Sequence, residues 1–134
     1  MATWTGWAAA IAIVLAASIP LGVRLRAGKR GAPSSQPIRI HVLAGFVTSM
    51  LAFLHTLAVL PALGSPAATG GGVLALLPGG IAFFLLIAHA GLGLQLRNER
   101  LRDRVSKRRA HATTAIAISI AVVIHTVLLE RAVH

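Results

Sequence analysis

The chain contains no cysteine and only 3 acidic residues. The absence of cysteine excludes disulfides, thiolate metal sites, iron–sulfur clusters, cysteine nucleophiles and haem attached through thioether bonds. Charged residues make up 12% of the chain, against roughly 25% in an average soluble domain. Hydrophobic residues make up 56%, and the mean hydropathy is +0.79. These proportions predict a membrane protein, and 134 residues leave room for one domain.

Stretches without charge mark the expected membrane spans. Residues 1–23 contain no Asp, Glu, Lys or Arg, and neither do residues 40–96 or 110–129. The middle stretch is too long for one helix, because about 20 residues cross a bilayer. Pro61, Pro66 and the three glycines at 70–72 are expected to break it. We therefore predict an all-α membrane protein with a single transmembrane domain over residues 1–134. It is expected to form a four-helix up-down-up-down bundle, with helices at approximately 3–24, 39–62, 73–97 and 109–131.

The basic residues fall on one side of this bundle. The chain has 13 Lys and Arg and a net charge of +10, and all of its basic residues except Arg131 lie in the first and third connections. By the positive-inside rule these connections face the cytoplasm, which puts both termini on the periplasmic side of a bacterial inner membrane. A signal peptide over residues 1–20 is the alternative, but it would carry positive charge before its apolar stretch and not after it. The basic loops predict contact with the lipid bilayer, and no nucleic-acid partner is expected.

Four of the six histidines repeat one spacing. His41 and His55 lie fourteen positions apart in the second predicted helix, as do His111 and His125 in the fourth. Fourteen residues at about 100° each make nearly four turns, so the two histidines of a helix share a face and lie about 21 Å apart along it. The second and fourth helices run in the same direction in the expected bundle. His41 should therefore be level with His111, and His55 with His125.

This arrangement favours haem over a bare metal ion. A small ion between two imidazoles would need further ligands, which the chain barely provides. Two imidazoles on opposite sides of a porphyrin need a wide gap lined by small residues. We predict two non-covalent haem b groups, with iron bound by His41 and His111 in one and by His55 and His125 in the other. The faces between the histidines carry Ala44, Gly45, Thr48 and Ala52 on the second helix and Thr114, Ala115, Ile118 and Ala121 on the fourth, whereas Phe46, Met50 and Phe53 turn elsewhere.

Glycines and arginines near the histidines are further candidates for haem contact. Arg39 and Arg109, with Arg108, adjoin the inner histidines and could pair with haem propionates, although topology alone would place arginines there. Glycines at the depth of either histidine pair would let backbone approach a porphyrin edge. These glycines are Gly45 in the second helix, Gly22 in the first, and Gly79, Gly80, Gly91 and Gly93 in the third.

The remaining polar residues of the spans have less distinctive expected roles. His89 is expected to be a buried hydrogen-bonding residue and not a ligand, with a proton or quinone role as the alternative. Thr56 and Thr126 each follow an outer histidine and are expected to bond back to their own helix, although either could contact haem. His134 is the terminal residue, and no role is predicted for it.

The placement of paired histidines on the second and fourth helices resembles that in the four-helix dihaem cores of cytochromes b. Similar cores are the haem-binding half of the cytochrome b of respiratory quinol–cytochrome c reductase and the membrane domain of ferric reductases and NADPH oxidases. Both place His, about thirteen residues and His on these two helices, matching His41/His55 and His111/His125. The predicted orientation is similar to the ferric reductase core. The 134 residues contain neither the quinol-oxidation motif of the first family nor the flavin and nicotinamide domain of the second, so the resemblance implies a haem module.

Iron held by two imidazoles has no position left for oxygen or substrate, so the expected function is transmembrane transfer of single electrons. Such a protein would be an electron-transfer protein or the haem subunit of a membrane oxidoreductase, with a redox protein or a quinone as its partner. Two alternatives stay open. One is a structural or assembly subunit of a respiratory complex. The other is a histidine-lined metal or proton transporter, which the lack of carboxylates in the apolar stretches disfavours. The sequence leaves the oligomeric state open.

Overall fold

In a computed structural model of the chain, residues 2–63 and 73–131 are described. They form four α-helices, which we name α1 (Ala2–Ala27), α2 (Gln36–Val59), α3 (Val73–Leu96) and α4 (Arg104–Arg131). A 3-10 turn over Leu60–Ala62 follows α2, and no strand occurs among the described residues. Each α-helix is long and apolar enough to cross a membrane. The predicted all-α, four-helix membrane architecture is confirmed.

The observed start of α4 differs from the start that hydropathy predicts. The helix α4 begins at Arg104, five residues before its predicted start at 109. Hydropathy marks only the part of a helix that lies in lipid, whereas backbone hydrogen bonds continue into the headgroup region. The Arg104 guanidinium turns back to the end of α3 and the turn after it, where it donates to the carbonyls of Leu96 at 2.7 Å and Asn98 at 2.8 Å. Arg104 therefore satisfies the carbonyl of the last residue of α3, which has no helical donor.

The bundle is built from two helix hairpins. The helices α1 and α2 pack along each other, as do α3 and α4, while α2 meets α3 and α1 meets α4 over shorter stretches. No described Cα atom of α2 lies within 8 Å of one in α4. The helices therefore follow one another around the bundle, and α2 and α4 lie diagonally across it.

Small side chains occupy the buried positions between the helices. Thr48 on α2 is 2% exposed and Ile118 on α4 is 3% exposed, while Phe46, Met50 and Phe53 lie on the exposed side of α2. The sequence prediction that bulky residues avoid the face between His41 and His55 is confirmed. The buried side chains of the described residues are Ala9, Ala16, Thr48, Ala75, Ala82, Leu86, Ile118 and Ala121.

The connections place the basic residues together. The segment between α1 and α2 and the segment between α3 and α4 lie at the same end of the bundle, since neighbouring helices run in opposite directions. Pro66, the glycines at 70–72 and His134, which the sequence analysis named, lie outside the described residues.

Candidate functional site

The inner histidine pair, His41 and His111, meets across the diagonal of the bundle. Their ring centroids are 6.1 Å apart, and the ring planes are inclined at 87°. The backbones of α2 and α4 stay farther apart than 8 Å, so side chains alone bridge the centre at this level. The sequence expectation that these two residues lie at one depth agrees with their placement.

Backbone carbonyls on neighbouring helices fix the protonation of three imidazoles. The Nδ1 atom of His41 lies 2.8 Å from the carbonyl oxygen of Ala16, and that of His125 lies 2.9 Å from the carbonyl oxygen of Ala75. The Nδ1 atom of His111 lies 3.2 Å from the carbonyl oxygen of His89. A carbonyl can only accept, so Nδ1 must carry the proton and donate. In a neutral imidazole this leaves the Nε2 lone pair available to a metal.

His55 forms the corresponding contact at the other end of α2. Its Nδ1 lies 3.1 Å from the Thr5 hydroxyl oxygen on α1. A hydroxyl can donate or accept, so this contact does not by itself fix the His55 tautomer. At the inner level the ring of His111 contacts the rings of both His41 and His89.

Three glycines provide the space in which the imidazoles lie. A Cβ atom at Gly79 would stand 2.8 Å from Cε1 of His125, and one at Gly93 would stand 3.2 Å from Cε1 of His111. A Cβ atom at Gly6 would stand 3.0 Å from Cε1 of His55. Any side chain at Gly79 would force the imidazole of His125 to shift, and the space at the other two glycines is also tight.

Gly79 and Gly93 each lie against the imidazole ring of a histidine on α4. This contact was not expected from the sequence, and the approach of a porphyrin edge to these glycines stays a prediction. A signal for the contact was present, because Gly79 and Gly93 are fourteen residues apart, the spacing of His111 and His125 themselves. Two antiparallel helices that rise equally per residue keep two such contacts in register.

The same spacing recurs in α1, with proline replacing one glycine. Gly6 and Pro20 are fourteen residues apart, like His41 and His55 on the facing helix. Pro20 has no N–H, so it cannot donate to the carbonyl of Ala16 four residues earlier. That carbonyl accepts instead from His41 at 2.8 Å. In the first hairpin, Pro20 therefore leaves the carbonyl of Ala16 free to accept from His41. At the matching place in the second hairpin, Gly93 instead leaves room for the ring of His111.

The other predicted haem contacts lie in open positions. A Cβ atom at Gly45, Gly80 or Gly91 would meet nothing within 4 Å. Arg39 and Arg109 are exposed, each two residues before an inner histidine and thus about 200° around the helix from it. Nothing in the structure tests whether these five residues contact a cofactor, and their assignment stays a prediction.

His89 on α3 supports His111 through both its backbone and its ring. Its carbonyl accepts from Nδ1 of His111, and its ring stacks on that of His111 with centroids 3.7 Å apart and planes inclined at 15°. Thr114 donates to the carbonyl of His111 at 3.0 Å, and its hydroxyl oxygen lies 2.9 Å from Nδ1 of His89. His89 is thus a hydrogen-bonded residue, as expected from the sequence, and it also orients its neighbour.

The outer threonines behave as the sequence predicts. The Thr56 hydroxyl donates to the carbonyl of Ala52 at 2.9 Å, and the Thr126 hydroxyl donates to the carbonyl of Val122 at 3.0 Å. Both bonds run four residues back along the same helix. They satisfy the hydroxyl groups locally, which a helix in lipid requires.

Comparisons of the chain with protein-family models, curated proteins and solved structures found no match. The chemistry of the histidines is therefore inferred from their own geometry. No group of three or more His, Cys, Asp or Glu side chains within residues 2–63 and 73–131 is placed to hold a metal ion.

Adjacent glycines test the space that His125 occupies. We expect Gly79→Ala to destabilise the protein by about 1–3 kcal/mol, because the new methyl group overlaps the imidazole. Gly80→Ala should be neutral or stabilising, since its Cβ meets nothing within 4 Å and alanine favours helix. The comparison of Gly93→Ala with Gly91→Ala repeats the test at His111. Unfolding of the detergent-solubilised variants measures both effects, and equal stability of Gly79→Ala and Gly80→Ala would contradict the assignment.

Proposed function

We propose that this protein is a dihaem b cytochrome that relays single electrons across the membrane. His41 and His111 bind the iron of an inner haem, and His55 and His125 bind that of an outer haem. One observation carries the proposal. The rings of His41 and His111 lie 6.1 Å apart across the bundle, and the carbonyls that hold both Nδ1 atoms leave both Nε2 lone pairs available.

The separation of the inner rings fits one metal held between two imidazoles. Metal–nitrogen bonds of about 2.0 Å on both sides would separate the ring centroids by about 6 Å. The described residues offer no third ligand for such a metal. Haem resolves this shortage, because the porphyrin supplies four nitrogens and the protein needs to supply two.

Haem when bound supplies a reversible one-electron couple at iron. The chain's own residues determine what surrounds it. The carbonyls of Ala16, His89 and Ala75 hold the imidazoles in a fixed rotation and raise their basicity as ligands. Phe46, Met50 and Phe53 lie on the exposed side of α2 and leave the face between its two histidines without bulky side chains.

The two levels suit transfer from one membrane face to the other. Fourteen residues of helix separate the histidines of α2 by about 21 Å along the axis. The basic connections favour a cytoplasmic location for the inner pair, with both termini periplasmic in a bacterial inner membrane. Electrons then enter from a flavoprotein or a membrane quinol at the inner haem and leave from the outer haem to a periplasmic acceptor.

The resemblance to the ferric reductase and NADPH oxidase membrane domain supports this proposal through helix order and histidine spacing. It adds a direction, since electrons in that family leave on the side opposite the cytoplasm. Within that resemblance the chain corresponds to the haem-bearing membrane module of an oxidoreductase.

Replacing single histidines tests the ligand assignment. We expect His41→Ala to reduce haem from two groups per chain to one, and His125→Ala to remove the other group, because each variant deletes one of two ligands of a single iron. Ser49→Ala is the control. Its hydroxyl donates to Gly45 within the same helix at 2.9 Å, and the variant should keep both haems. Retention of both haems in His41→Ala would show that the ligands are assigned wrongly.

The charges of the connections predict the order of the two redox potentials. Positive charge near the inner haem disfavours the ferric state, so the inner haem should have the higher potential unless propionates cancel the effect. Potentiometric titration of the His55→Ala/His125→Ala variant reports the inner haem, and that of His41→Ala/His111→Ala reports the outer haem. Equal potentials or the reverse order would contradict the prediction.

The stacked ring of His89 should determine the rotation of the His111 ligand. His89→Leu removes the ring at 3.7 Å but keeps the backbone carbonyl that accepts from His111, so the inner haem should bind with an altered low-temperature EPR signal. His89→Phe keeps a flat ring and should retain the original signal. The outer haem is the internal standard. An unchanged inner signal in His89→Leu would contradict this role.

A further inference from the structure

A groove opens on the basic end of the bundle where the two hairpins meet. It is an open groove with a volume of about 530 Å³, and ligand sites typically have volumes of about 300–1,000 Å³. One wall belongs to the first hairpin and the other to the segment that follows α3. The lining residues are Pro33, Ser34, Arg39, Val42, Leu43, Phe46, Arg97 and Glu99.

The polar end of the groove carries two guanidinium groups from different hairpins. Arg39 lies in the first turn of α2, and Arg97 directly follows α3. Neither is paired with a carboxylate, since the one ion pair among the described residues joins Lys107 to Asp103 at 4.0 Å. Glu99 shares the groove without pairing with either arginine. Two arginines that line one groove supply the positive charge and the N–H donors that bind a phosphate group.

The apolar end of the groove continues along α2 towards the membrane interior. Leu43 and Phe46 lie one and two turns beyond Arg39, and their side chains are 65% and 53% exposed. A ligand that follows this wall must be apolar at its deep end and anionic at the surface. An anionic glycerophospholipid has that combination, whereas a free phosphate would use only the arginines.

We propose that this groove binds an anionic phospholipid. Arg39 and Arg97 hold its phosphate, and an acyl chain lies against Leu43 and Phe46. The lipid thereby bridges the two hairpins, whose helices α2 and α3 meet only over a short stretch. The proposal uses none of the four histidines, and it assigns Arg39, which was a candidate partner of a haem propionate, to the lipid phosphate instead.

Lipid-dependent thermal stability tests this site on the full chain in detergent. Added phosphatidylglycerol should raise the Tm of the unaltered protein by about 5 °C over phosphatidylcholine, because a ligand of the folded state stabilises it. The Arg39→Gln/Arg97→Gln variant should lose that shift. Arg26→Gln/Arg102→Gln is the matched control, since it removes one exposed charge from each hairpin on the same face, outside the groove, and it should keep the shift.

Further additions separate a lipid from other anions. Inorganic phosphate and glycerol 3-phosphate should not reproduce the shift, and if either does, the groove is an anion site and the lipid assignment is wrong. Equal loss in the control variant would mean diffuse attraction to the basic surface and would overturn the proposal. If the groove variant does not fold, native mass spectrometry of the unaltered protein decides. One phosphatidylglycerol should be retained in preference to phosphatidylcholine, and no preference would overturn the site.

Discussion

The hydrogen bond from an imidazole Nδ1 to a carbonyl of the neighbouring helix is the contact on which the interior of this bundle depends. An imidazole in lipid is costly unless its polar atoms find partners. Ala16, His89 and Ala75 meet that need on one side of the ring while leaving the other nitrogen unprotonated. For these three histidines, the contact that satisfies Nδ1 in the membrane also leaves the lone pair of Nε2 available. The same hydrogen bonds therefore hold the helices together and determine which imidazole nitrogen could bind a metal.

The two hairpins accommodate their histidines in a similar way. Each hairpin has two histidines fourteen residues apart on its second helix. Its first helix has glycine or proline at two positions that are also fourteen residues apart. Gly79 and Gly93 leave room for imidazole rings in one hairpin, and Gly6 and Pro20 stand at the matching places in the other. Helices α2 and α4 then lie diagonally across the bundle, and the rings of His41 and His111 meet between them.

Much of this could be predicted from residue patterns. The four spans follow from hydropathy, and the level of His41 with His111 follows from helix geometry and topology. The acceptors of the imidazole protons could not be predicted, because they are backbone atoms and every residue carries a carbonyl. The role of Gly79 was missed for a related reason, since a glycine beside an imidazole and a glycine beside a porphyrin look the same in sequence. The stacking of His89 on His111 depends on the rotation of α3 against α4, which no pattern in one helix encodes.

The haem content of the purified protein tests the central claim most directly. The account predicts two haem b groups per chain by pyridine haemochrome assay, with sharp α and β bands after dithionite reduction, as iron with two imidazole ligands would give. A colourless protein that is folded, or a single haem per chain, would contradict it.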